Sequence, residues 1–353
     1  MISRCTRSIK LRPLSLLKRI HTTIITTSRR YIPHGVDIQG SLNMTQKVVT
    51  VFGATGNQGG SVVTAILEHP KLASKYKIRA ITRDPSKPNA QALASKGAEL
   101  AKADLNDVQS VKKAIAGSYG VFAVTNYWET MSKSTEFQQG KNIVDACKEE
   151  GVQHLVWSGL PNVTKMTHGK LSKVEHFDSK AEVAEYAEKV KGDMLTTYFM
   201  PAYFMSNLPG QVRPGPDGVP TLSMSWHPTH THLPMIDIRT DTGKFVAGIL
   251  EAGSAANGVH VQGVSQWVVP RQIINDLSEV TGREIRYHQT PADVESAAKL
   301  DKIGEELLQN MILIRDYSYF GQGSEKKQAE SDKFFLEGEK KTTWKEFAQA
   351  AGL

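Results

Sequence analysis

Glycine recurs at every third position, Gly53, Gly56 and Gly59, directly after an apolar run, KVVTVF, at residues 47–52. The run predicts a buried strand, and the residues that follow predict a helix over residues 58–68. Gly53 permits a sharp turn, Gly56 lets the backbone approach a pyrophosphate, and Gly59 lets helix and strand pack closely. The helix N-terminus offers N–H donors to an anion. A purely structural turn is the alternative, but the position between strand and helix favours a dinucleotide site formed by Gly53, Thr55, Gly56, Asn57, Gln58 and Gly59.

The residues after a second apolar run, KIRAIT at residues 77–82, indicate which dinucleotide is bound. A site that prefers NAD places an acidic side chain there, which bonds both ribose hydroxyls. Here Arg83 offers a planar guanidinium to a 2′-phosphate, and Lys87 adds positive charge. Asp84 has two interpretations, because it either caps the turn into Pro85 or faces inward and repels a phosphate. We therefore expect NADP(H) to be preferred, with NAD(H) possible.

Other residues follow the remaining predicted strands, at the carboxyl edge where open α/β sheets bind ligands. Asp104 follows a short strand at residues 96–103 and is expected beside the adenine ring, unless it only caps the next helix. Trp128 either closes the nicotinamide pocket or packs as core beneath a second subdomain. The other residues expected to contact the cofactor from these edges are Thr125, Asn126, Tyr127, Pro201 and Tyr203.

Three residues carry groups that could transfer or hold a proton. Ser158 ends a predicted strand at residues 152–158, and His176 and Lys180 lie on a predicted helix over residues 172–189. Residues four apart share one helix face, so His176 and Lys180 point together toward the expected cofactor. Histidine titrates near neutral pH and could act as an acid. Alternatively, His176 is a packing or surface residue with no chemical role.

Strands and helices alternate over residues 44–208, as a parallel α/β sheet requires. The remaining predicted strands are residues 119–125 and 194–200, and the remaining helices are a segment from Asn106, as cap, to Ala116 and a long helix over residues 134–150. This order predicts an α/β fold with a doubly wound parallel Rossmann sheet. We assign residues 44–208 to this NAD(P)-binding domain.

The pattern is less regular over residues 209–353, which we assign to a smaller α+β C-terminal subdomain contributing to the cleft. Residues 209–220, PGQVRPGPDGVP, are rich in proline and glycine and are expected to lack regular structure. Helices are predicted over residues 242–251, 269–281, 292–318 and 343–350, a strand over residues 258–264, and a charged linker over residues 325–341.

Four segments together resemble the NmrA-like family of atypical short-chain dehydrogenase/reductases. They are VFGATGNQGG at residues 51–60, VTNYWE at 124–129, SGL at 158–160 and HFDSK at 176–180. The resemblance extends from Met44 to the C-terminus and is closest up to Asn207. It implies NAD(P) binding and a role as redox sensor and transcriptional co-regulator, with no established turnover for most members.

Short-chain reductases usually combine a serine with a Tyr-x-x-x-Lys motif, in which the tyrosine donates a proton and the lysine binds the nicotinamide ribose. Ser158 and Lys180 occupy the matching positions, and His176 replaces the tyrosine. Two functions follow. The first, which the replaced tyrosine and the resemblance favour, is a redox sensor or regulator whose cofactor occupancy controls a protein partner, such as a transcription factor or regulatory enzyme. The second is an NADPH-dependent reductase of a quinone, enone or similar small electrophile.

The charge of the chain is unevenly distributed. The 353 residues carry a net charge of +7, and residues 1–36 hold eight Lys or Arg and no acid, which leaves −1 for the remainder. No direct nucleic-acid binding is therefore expected. The composition of residues 1–43 is typical of a mitochondrial transit peptide, whereas a start at Met44 would leave the protein in the cytoplasm or nucleus. No apolar run is long enough to span a membrane, and His227, His230 and His232 are expected to be loop residues rather than a metal site.

Overall fold

The computed structural model describes residues 45–353. The strands of this part of the chain follow one another with helices or loops between them. In chain order they are β1 (Lys47–Val51), β2 (Tyr76–Thr82), β3 (Glu99–Lys102), β4 (Gly120–Ala123), β5 (His154–Ser158), β6 (Leu195–Pro201), β7 (Tyr203–Phe204), β8 (Val212–Pro214), β9 (Pro220–Met224), β10 (Leu233–Ile236), β11 (His260–Gly263), β12 (Gln266–Val268) and β13 (Arg286–Gln289).

The helices of the same residues alternate with the strands up to β6 and then become shorter. They are α1 (Asn57–Glu68), α2 (Pro70–Lys75), α3 (Pro88–Ser95), α4 (Val108–Ile115), α5 (Lys133–Glu149), α6 (Val163–Met166), α7 (Glu175–Val190), α8 (Asp241–Ala252), α9 (Pro270–Thr281), α10 (Val294–Ala297), α11 (Lys302–Ile312), α12 (Gln328–Asp332) and α13 (Trp344–Ala350). A 3₁₀ turn at Tyr127–Glu129 follows β4, and a π-helical turn at Leu313–Tyr317 continues α11.

Seven parallel strands form the central sheet in the order β11-β6-β5-β4-β1-β2-β3. The strand order reverses between β1 and β4, which are neighbours in the sheet although β2 and β3 lie between them in sequence. Such a switch point opens a crevice at the carboxyl ends of the strands, where ligands of doubly wound folds bind. This arrangement confirms the predicted doubly wound parallel Rossmann sheet.

The two faces of the sheet are buried under different helices, because side chains alternate along each strand. On one face, Phe122 and Val156 join α1 and α8 in an apolar core. On the other, Val121 and Leu155 pack with α4, α5 and α7. Both faces are thus covered, which explains why the parallel strands read as near-continuous apolar runs in the sequence.

Additional small sheets in the C-terminal region confirm the α+β character predicted there. One consists of β12-β10-β7 and the other of β13-β9-β8, and they share a core with α9, α11 and α13 around Trp226 and Trp344. The chain also returns to the central sheet after residue 208, because α8 packs on α1 and β11 adds the seventh strand.

Several local predictions were wrong. Residues 209–220 contain β8 and the start of β9, which pair as an antiparallel hairpin with Pro214 opposite Pro220. Asp107 rather than Asn106 caps α4, since its carboxylate accepts from the backbone N–H groups of Gln109 and Ser110. The helix predicted over residues 292–318 is divided into α10, α11 and the π-helical turn. The charged linker contains α12, because its polar residues pack against β11.

The free edge of β11 is covered by α12. The backbone N–H of Gln262 donates to Ser331 Oγ at 2.9 Å, and Gln328 Nε2 donates to the carbonyl of Gln262 at 3.2 Å. Both main-chain groups of Gln262 that point away from β6 therefore have side-chain partners.

No helix in residues 45–353 is long and apolar enough to cross a membrane. The arginine-rich segment at residues 1–43 lies outside the described residues. The mitochondrial targeting proposed for it therefore stays a prediction.

His154, in the middle of the sheet on β5, makes stability depend on pH. Its Nε2 lies 2.9 Å from Thr197 Oγ1, while its Nδ1 is buried without a hydrogen-bond partner among the described residues. Burial lowers the pKa of His154 from 6.5 to about 4. The unfolded chain therefore binds a proton that the folded chain excludes, and stability falls as the pH drops from about 6.5 to about 4.

We expect His154→Leu to remove part of this acid sensitivity, because Thr197 Oγ1 keeps its bond to the carbonyl of Ala256 at 2.8 Å. Between pH 7 and pH 4.5, wild type should lose about 2–3 kcal/mol more unfolding free energy than the variant. Urea titrations at both pH values measure the difference. An equal loss in the two proteins would show that His154 takes up its proton in the folded state.

Candidate functional site

The glycine turn between β1 and α1 has the geometry of a dinucleotide cradle. Gly53 adopts a φ of +62°, and a Cβ there would also lie 2.8 Å from Val124 Cγ1. A Cβ on Gly59 would lie 2.3 Å from the carbonyl oxygen of Gly53, so the first turn of α1 touches the strand end through backbone alone. Gly56 is the N-cap of α1 and provides no side-chain cap, which leaves the N-terminal N–H groups directed at the cavity. The backbone therefore fits a pyrophosphate.

A cavity of about 660 Å³ extends from this turn across the carboxyl ends of β1, β2, β3 and β4. Most of the residues predicted to contact the cofactor line this cavity, which we call the first cavity. These residues are Gly53, Thr55, Gly56, Asn57, Gln58, Gly59, Arg83, Lys87, Asp104, Thr125 and Asn126.

The end of β2 presents both cationic residues predicted for the ribose. The Arg83 guanidinium pairs with the carboxylate of Glu129, and both side chains are largely exposed. Asp84 accepts from the backbone N–H of Ser86 at 2.9 Å and from its hydroxyl at 2.6 Å. These bonds lower the pKa of Asp84 and hold its carboxylate in the local turn, the capping alternative for this residue. Lys87 lines the same wall of the first cavity.

Asp104, in contrast, has its carboxylate engaged near the end of β3. Its Oδ1 accepts from the backbone N–H and from the side-chain amide of Asn106, both at 2.9 Å. The residue lines the first cavity with Asn106 and is exposed. It stabilises the turn before α4, while Asp107 caps that helix.

A second cavity of about 950 Å³ opens beyond the first, between the central sheet and α11. The two cavities share four lining residues, Gln58, Thr125, Asn126 and Phe204, and so they meet at the end of β4. The remaining predicted site residues line this second cavity. They are Tyr127, Ser158, His176, Lys180, Pro201 and Tyr203.

The walls of the second cavity are largely apolar and partly aromatic. Trp128, Leu307 and Ile303 line it and remain 43%, 45% and 40% exposed, so they lie at its mouth. Trp128 packs on the imidazole of His176, with ring centroids 4.9 Å apart. Of the two alternatives for Trp128, the structure places it at the cavity rather than in the core.

Lys180 is bound by an acidic partner that the sequence analysis did not identify. Its ammonium pairs with the carboxylate of Glu136 on α5 and donates to Thr125 Oγ1 at 3.1 Å and to the Thr125 carbonyl at 3.2 Å. The Ser179 hydroxyl donates to the same carboxylate. Glu136 is 1% and Lys180 8% exposed. The ammonium is thus fixed at the junction of the two cavities.

His176 also has an acidic partner, Glu306, which lies on α11. Glu306 Oε1 lies 2.6 Å from His176 Nδ1 and accepts the backbone N–H of His176 at 2.8 Å. Because α7 begins at Glu175 and its N-cap, Val174, has no side-chain cap, this carboxylate also satisfies a free N–H of the first turn. One side chain of α11 therefore orients the imidazole and caps the helix that carries it.

Tyrosines near the second cavity are bound to neighbouring groups. Tyr127 donates its hydroxyl to Glu175 Oε2 at 2.9 Å, and burial together with the nearby carboxylates Glu306 and Glu175 raises its pKa. Burial raises the pKa of Tyr203 to about 12. Both phenols therefore keep their protons at neutral pH.

Ser158 is fully buried at the end of β5, and its hydroxyl donates to Gln58 Oε1 at 2.8 Å. This bond links the strand that precedes α7 to the first turn of α1. The serine thereby fixes the amide of Gln58, which lies at the junction of the two cavities.

The three histidines of the loop before β10 contact different partners. His227 and His230 have their Nδ1 atoms 2.8 Å apart, and His232 Nδ1 lies 2.8 Å from a carboxylate oxygen of Glu325. No cluster of three or more metal-ligand side chains occurs in residues 45–353.

Of the two partners that were missed, Glu136 had a detectable signal in the sequence. It shares the inward face of α5 with Gly140, Ile143 and Cys147, and an acid on such a stripe requires a buried cation. Glu306 had none, because its buried neighbours on α11, Gln309 and Asn310, read as a solvent-facing polar surface.

Known proteins resemble this chain in sequence and in fold. A family model described as the NmrA-like family matches residues 45–348. The NmrA-like family domain-containing oxidoreductase FrzB of Cladobotryum sp. is 33% identical over 257 residues, which cover 68% of this chain and 75% of that protein.

Solved structures show a similar fold at lower identity. NmrA, a negative transcriptional regulator, in complex with NADP has a TM-score of 0.72 at 21% identity and covers 86% of this chain and 94% of its own. A crystal form of NmrA also holds NAD. The Citrobacter sp. triphenylmethane reductase complexed with NADP(H) has a TM-score of 0.63 at 19% identity and covers 86% of this chain and 100% of its own.

Proposed function

The chain belongs to the NmrA-like family of NAD(P)-binding oxidoreductases, as its sequence motifs indicated, and from this premise we propose that it is an NADPH-dependent reductase of a small apolar electrophile such as a quinone or an enone. One observation carries the proposal. A large, mostly apolar cavity opens into the dinucleotide cavity at Gln58, Thr125 and Asn126, beside Lys180 and His176. A protein that only sensed a dinucleotide would not need this second space.

The residues of the first cavity would hold NADPH, with the N-terminus of α1 at the pyrophosphate and Arg83 at the 2′-phosphate. When bound, the cofactor supplies a hydride to the acceptor. The chain's own contribution is to bind an apolar acceptor in the second cavity, to exclude water with Trp128 and α11, and to fix polar groups where the two cavities meet.

Turnover is tested by following NADPH oxidation by the full chain with 1,4-naphthoquinone, benzylideneacetone and cinnamaldehyde. Leu307→Arg places a charge at the mouth of the second cavity and should lower kcat/KM for these acceptors while leaving NADPH affinity unchanged. Val294→Arg is the matched control, because Val294 is similarly exposed at 40% and does not line this cavity. If none of the three acceptors accelerates NADPH loss above the protein-free rate, the reductase proposal is wrong.

We further propose that the first cavity prefers NADP(H). An exposed ion pair such as Arg83–Glu129 contributes about 0–1 kcal/mol, so a 2′-phosphate can displace Glu129 from the guanidinium. A charge-assisted hydrogen bond contributes about 1.5–3 kcal/mol. Arg83→Ala should therefore weaken NADPH binding by about tenfold to a hundredfold and leave NADH binding nearly unchanged.

Calorimetry with NADPH and NADH on wild type and Arg83→Ala measures this preference. Arg213→Ala is the control, because Arg213 is exposed on β8 and lines neither cavity. An equal loss of both affinities, or a wild type that already prefers NADH, would show that Arg83 does not contact the 2′-phosphate.

A redox sensor is the second candidate function. The turn Tyr127–Glu129 connects the two cavities, because Glu129 pairs with Arg83 in the first and Trp128 packs on His176 in the second. Cofactor binding at Arg83 could thereby reposition exposed Trp128, and a partner such as a transcription factor or regulatory enzyme would detect the change. A ligand shifts such an equilibrium only through different affinities for the two states. Amide exchange of residues 127–131 that differs between NADPH-bound and NADH-bound protein, without turnover, would favour this candidate.

A further inference from the structure

The imidazole of His176 is held in one orientation by a buried carboxylate. Glu306 Oε1 accepts two donors of the same residue, the backbone N–H at 2.8 Å and the ring Nδ1 at 2.6 Å. Glu306 is 2% exposed and is therefore a buried carboxylate rather than a solvated surface acid. A carboxylate only accepts hydrogen bonds, and Nδ1 therefore carries the hydrogen.

The other ring nitrogen, Nε2, faces the second cavity. It lies 3.4 Å from Asn310 Nδ2, an amide nitrogen that donates, so Nε2 is the accepting nitrogen of the neutral ring. Both His176 and Asn310 line that cavity. The ring is packed between Trp128 and Phe177, at centroid distances of 4.9 and 4.8 Å. This packing leaves Nε2 as the ring atom that can reach a molecule in the cavity.

The charged groups around the ring are otherwise paired with one another. Glu175, on the same helix, is bound by the Tyr127 hydroxyl at 2.9 Å and by Lys302 Nζ of α11 at 3.0 Å. Lys180, one turn along α7, is bound by Glu136. Among the charges that face the imidazole, Glu306 is the one whose partner is His176.

We propose that His176 and Glu306 form a proton-donating dyad that replaces the tyrosine of other short-chain reductases, an inference that rests on the proposed reductase function. His176 is the catalytic acid through the Nε2–H of its protonated ring, and Glu306, which keeps the other hydrogen on Nδ1, is a positioning residue. The substrate class follows, since such a donor serves a carbonyl or enone, whose oxygen gains negative charge during reduction.

The step balances with the groups named. NADPH supplies a hydride, two electrons and one proton, to the acceptor carbon and is oxidised to NADP⁺. The π bond of the acceptor breaks toward oxygen, and that oxygen takes the proton from Nε2. The neutral imidazole keeps Nδ1–H on Glu306 and regains its Nε2 proton from the solvent, so that each turnover consumes one proton of the medium.

The test compares two acceptors with different proton requirements. Benzylideneacetone needs a proton as well as hydride, whereas a cationic triphenylmethane dye becomes neutral on accepting hydride alone. We expect His176→Phe to lower kcat for the enone by about 10²–10⁴-fold and to leave the dye rate within a few-fold. His176→Tyr should recover most of the enone rate, because it restores a phenolic donor.

Nitrogen NMR of the His176 ring supplies a readout that does not depend on turnover. Wild type should hold a hydrogen on Nδ1 in the neutral as well as in the protonated ring, and Glu306→Leu, which removes the accepting oxygen, should lose that signature, whereas the neighbouring Glu175→Gln keeps it. Enone reduction that survives His176→Phe, or an equal loss with both acceptors, would overturn the dyad while leaving the reductase function standing. A wild type that reduces 1,4-naphthoquinone but no enone would also overturn the dyad alone, whereas absence of turnover with all three acceptors would overturn both.

Discussion

Replacing Glu136 with leucine is expected to lower the free energy of unfolding by about 3–5 kcal/mol, because it leaves the buried ammonium of Lys180 without its counter-charge. Thr125 alone cannot compensate, since it offers one carbonyl and one hydroxyl oxygen. Urea unfolding of wild type and variant at pH 7 measures the loss.

The double variant Glu136→Leu with Lys180→Met tests the cause of this loss. Removing both charges should cost less than removing Glu136 alone, because the variant then buries apolar groups of similar size and no isolated ion. Glu182→Leu is the control, since Glu182 is on the exposed side of α7 and pairs with Lys133 at the surface. If Glu136→Leu were as stable as wild type, the Lys180 ammonium would have to reach solvent through the cavities. A faster chemical modification of Lys180 in the variant than in wild type would show this.

Replacing Gly59 with valine is expected to weaken binding of NADPH and NADH alike, by about tenfold to a hundredfold. The new Cβ would lie 2.3 Å from the Gly53 carbonyl oxygen and 2.7 Å from that of Phe52, and neither atom is the end of a flexible side chain. Overpacking of this kind costs about 1–3 kcal/mol, and the displaced turn is the pyrophosphate cradle.

Gly60→Ala is the matched control, because the nearest atom to its Cβ, the Ala54 carbonyl oxygen, is 3.3 Å away. Calorimetry should show nearly unchanged affinities for this variant. Thermal unfolding of both variants separates a distorted cradle from a lost fold. A Gly59→Val protein that bound either dinucleotide with wild-type affinity would show that the pyrophosphate lies away from the turn.

The parts of the fold that the sequence predicted well are those governed by local physical rules. The strands of the parallel sheet are buried on both faces, and therefore each is a short apolar run between helices. The dinucleotide turn requires glycine at positions such as Gly53 and Gly59, where a positive φ or a backbone contact excludes a side chain. Such requirements are visible in a single sequence.

The β8–β9 hairpin could not be predicted, because its prolines signal irregular structure. Pro214 and Pro220 are paired at the end of the hairpin, where the missing N–H groups cost no sheet hydrogen bond. The bend between them is closed by the Gly215 N–H, which donates to the Val219 carbonyl at 2.8 Å. Amino-acid composition alone does not show which backbone carbonyls will accept hydrogen bonds across a turn.

The acids of the candidate site depend on contacts between distant segments. Glu306 is 130 residues from His176 in sequence, and Glu136 is 44 residues from Lys180. Residue types and spacing on α7 identified the histidine and the lysine. The partners that set their charge and orientation come from α11 and α5, and only tertiary packing determines which residues of those helices face inward.

The cover that α12 provides for β11 has a consequence for the solubility of the protein. An unpaired edge strand exposes a row of main-chain donors and acceptors, onto which a second copy of the chain can add a strand and begin to aggregate. Ser331 accepts the outward N–H of Gln262, and Gln328 donates to its carbonyl. These two groups in the middle of β11 are therefore not available to an added strand. The C-terminal segment thus blocks strand addition at the β11 edge of the sheet, independently of any role near the cavities.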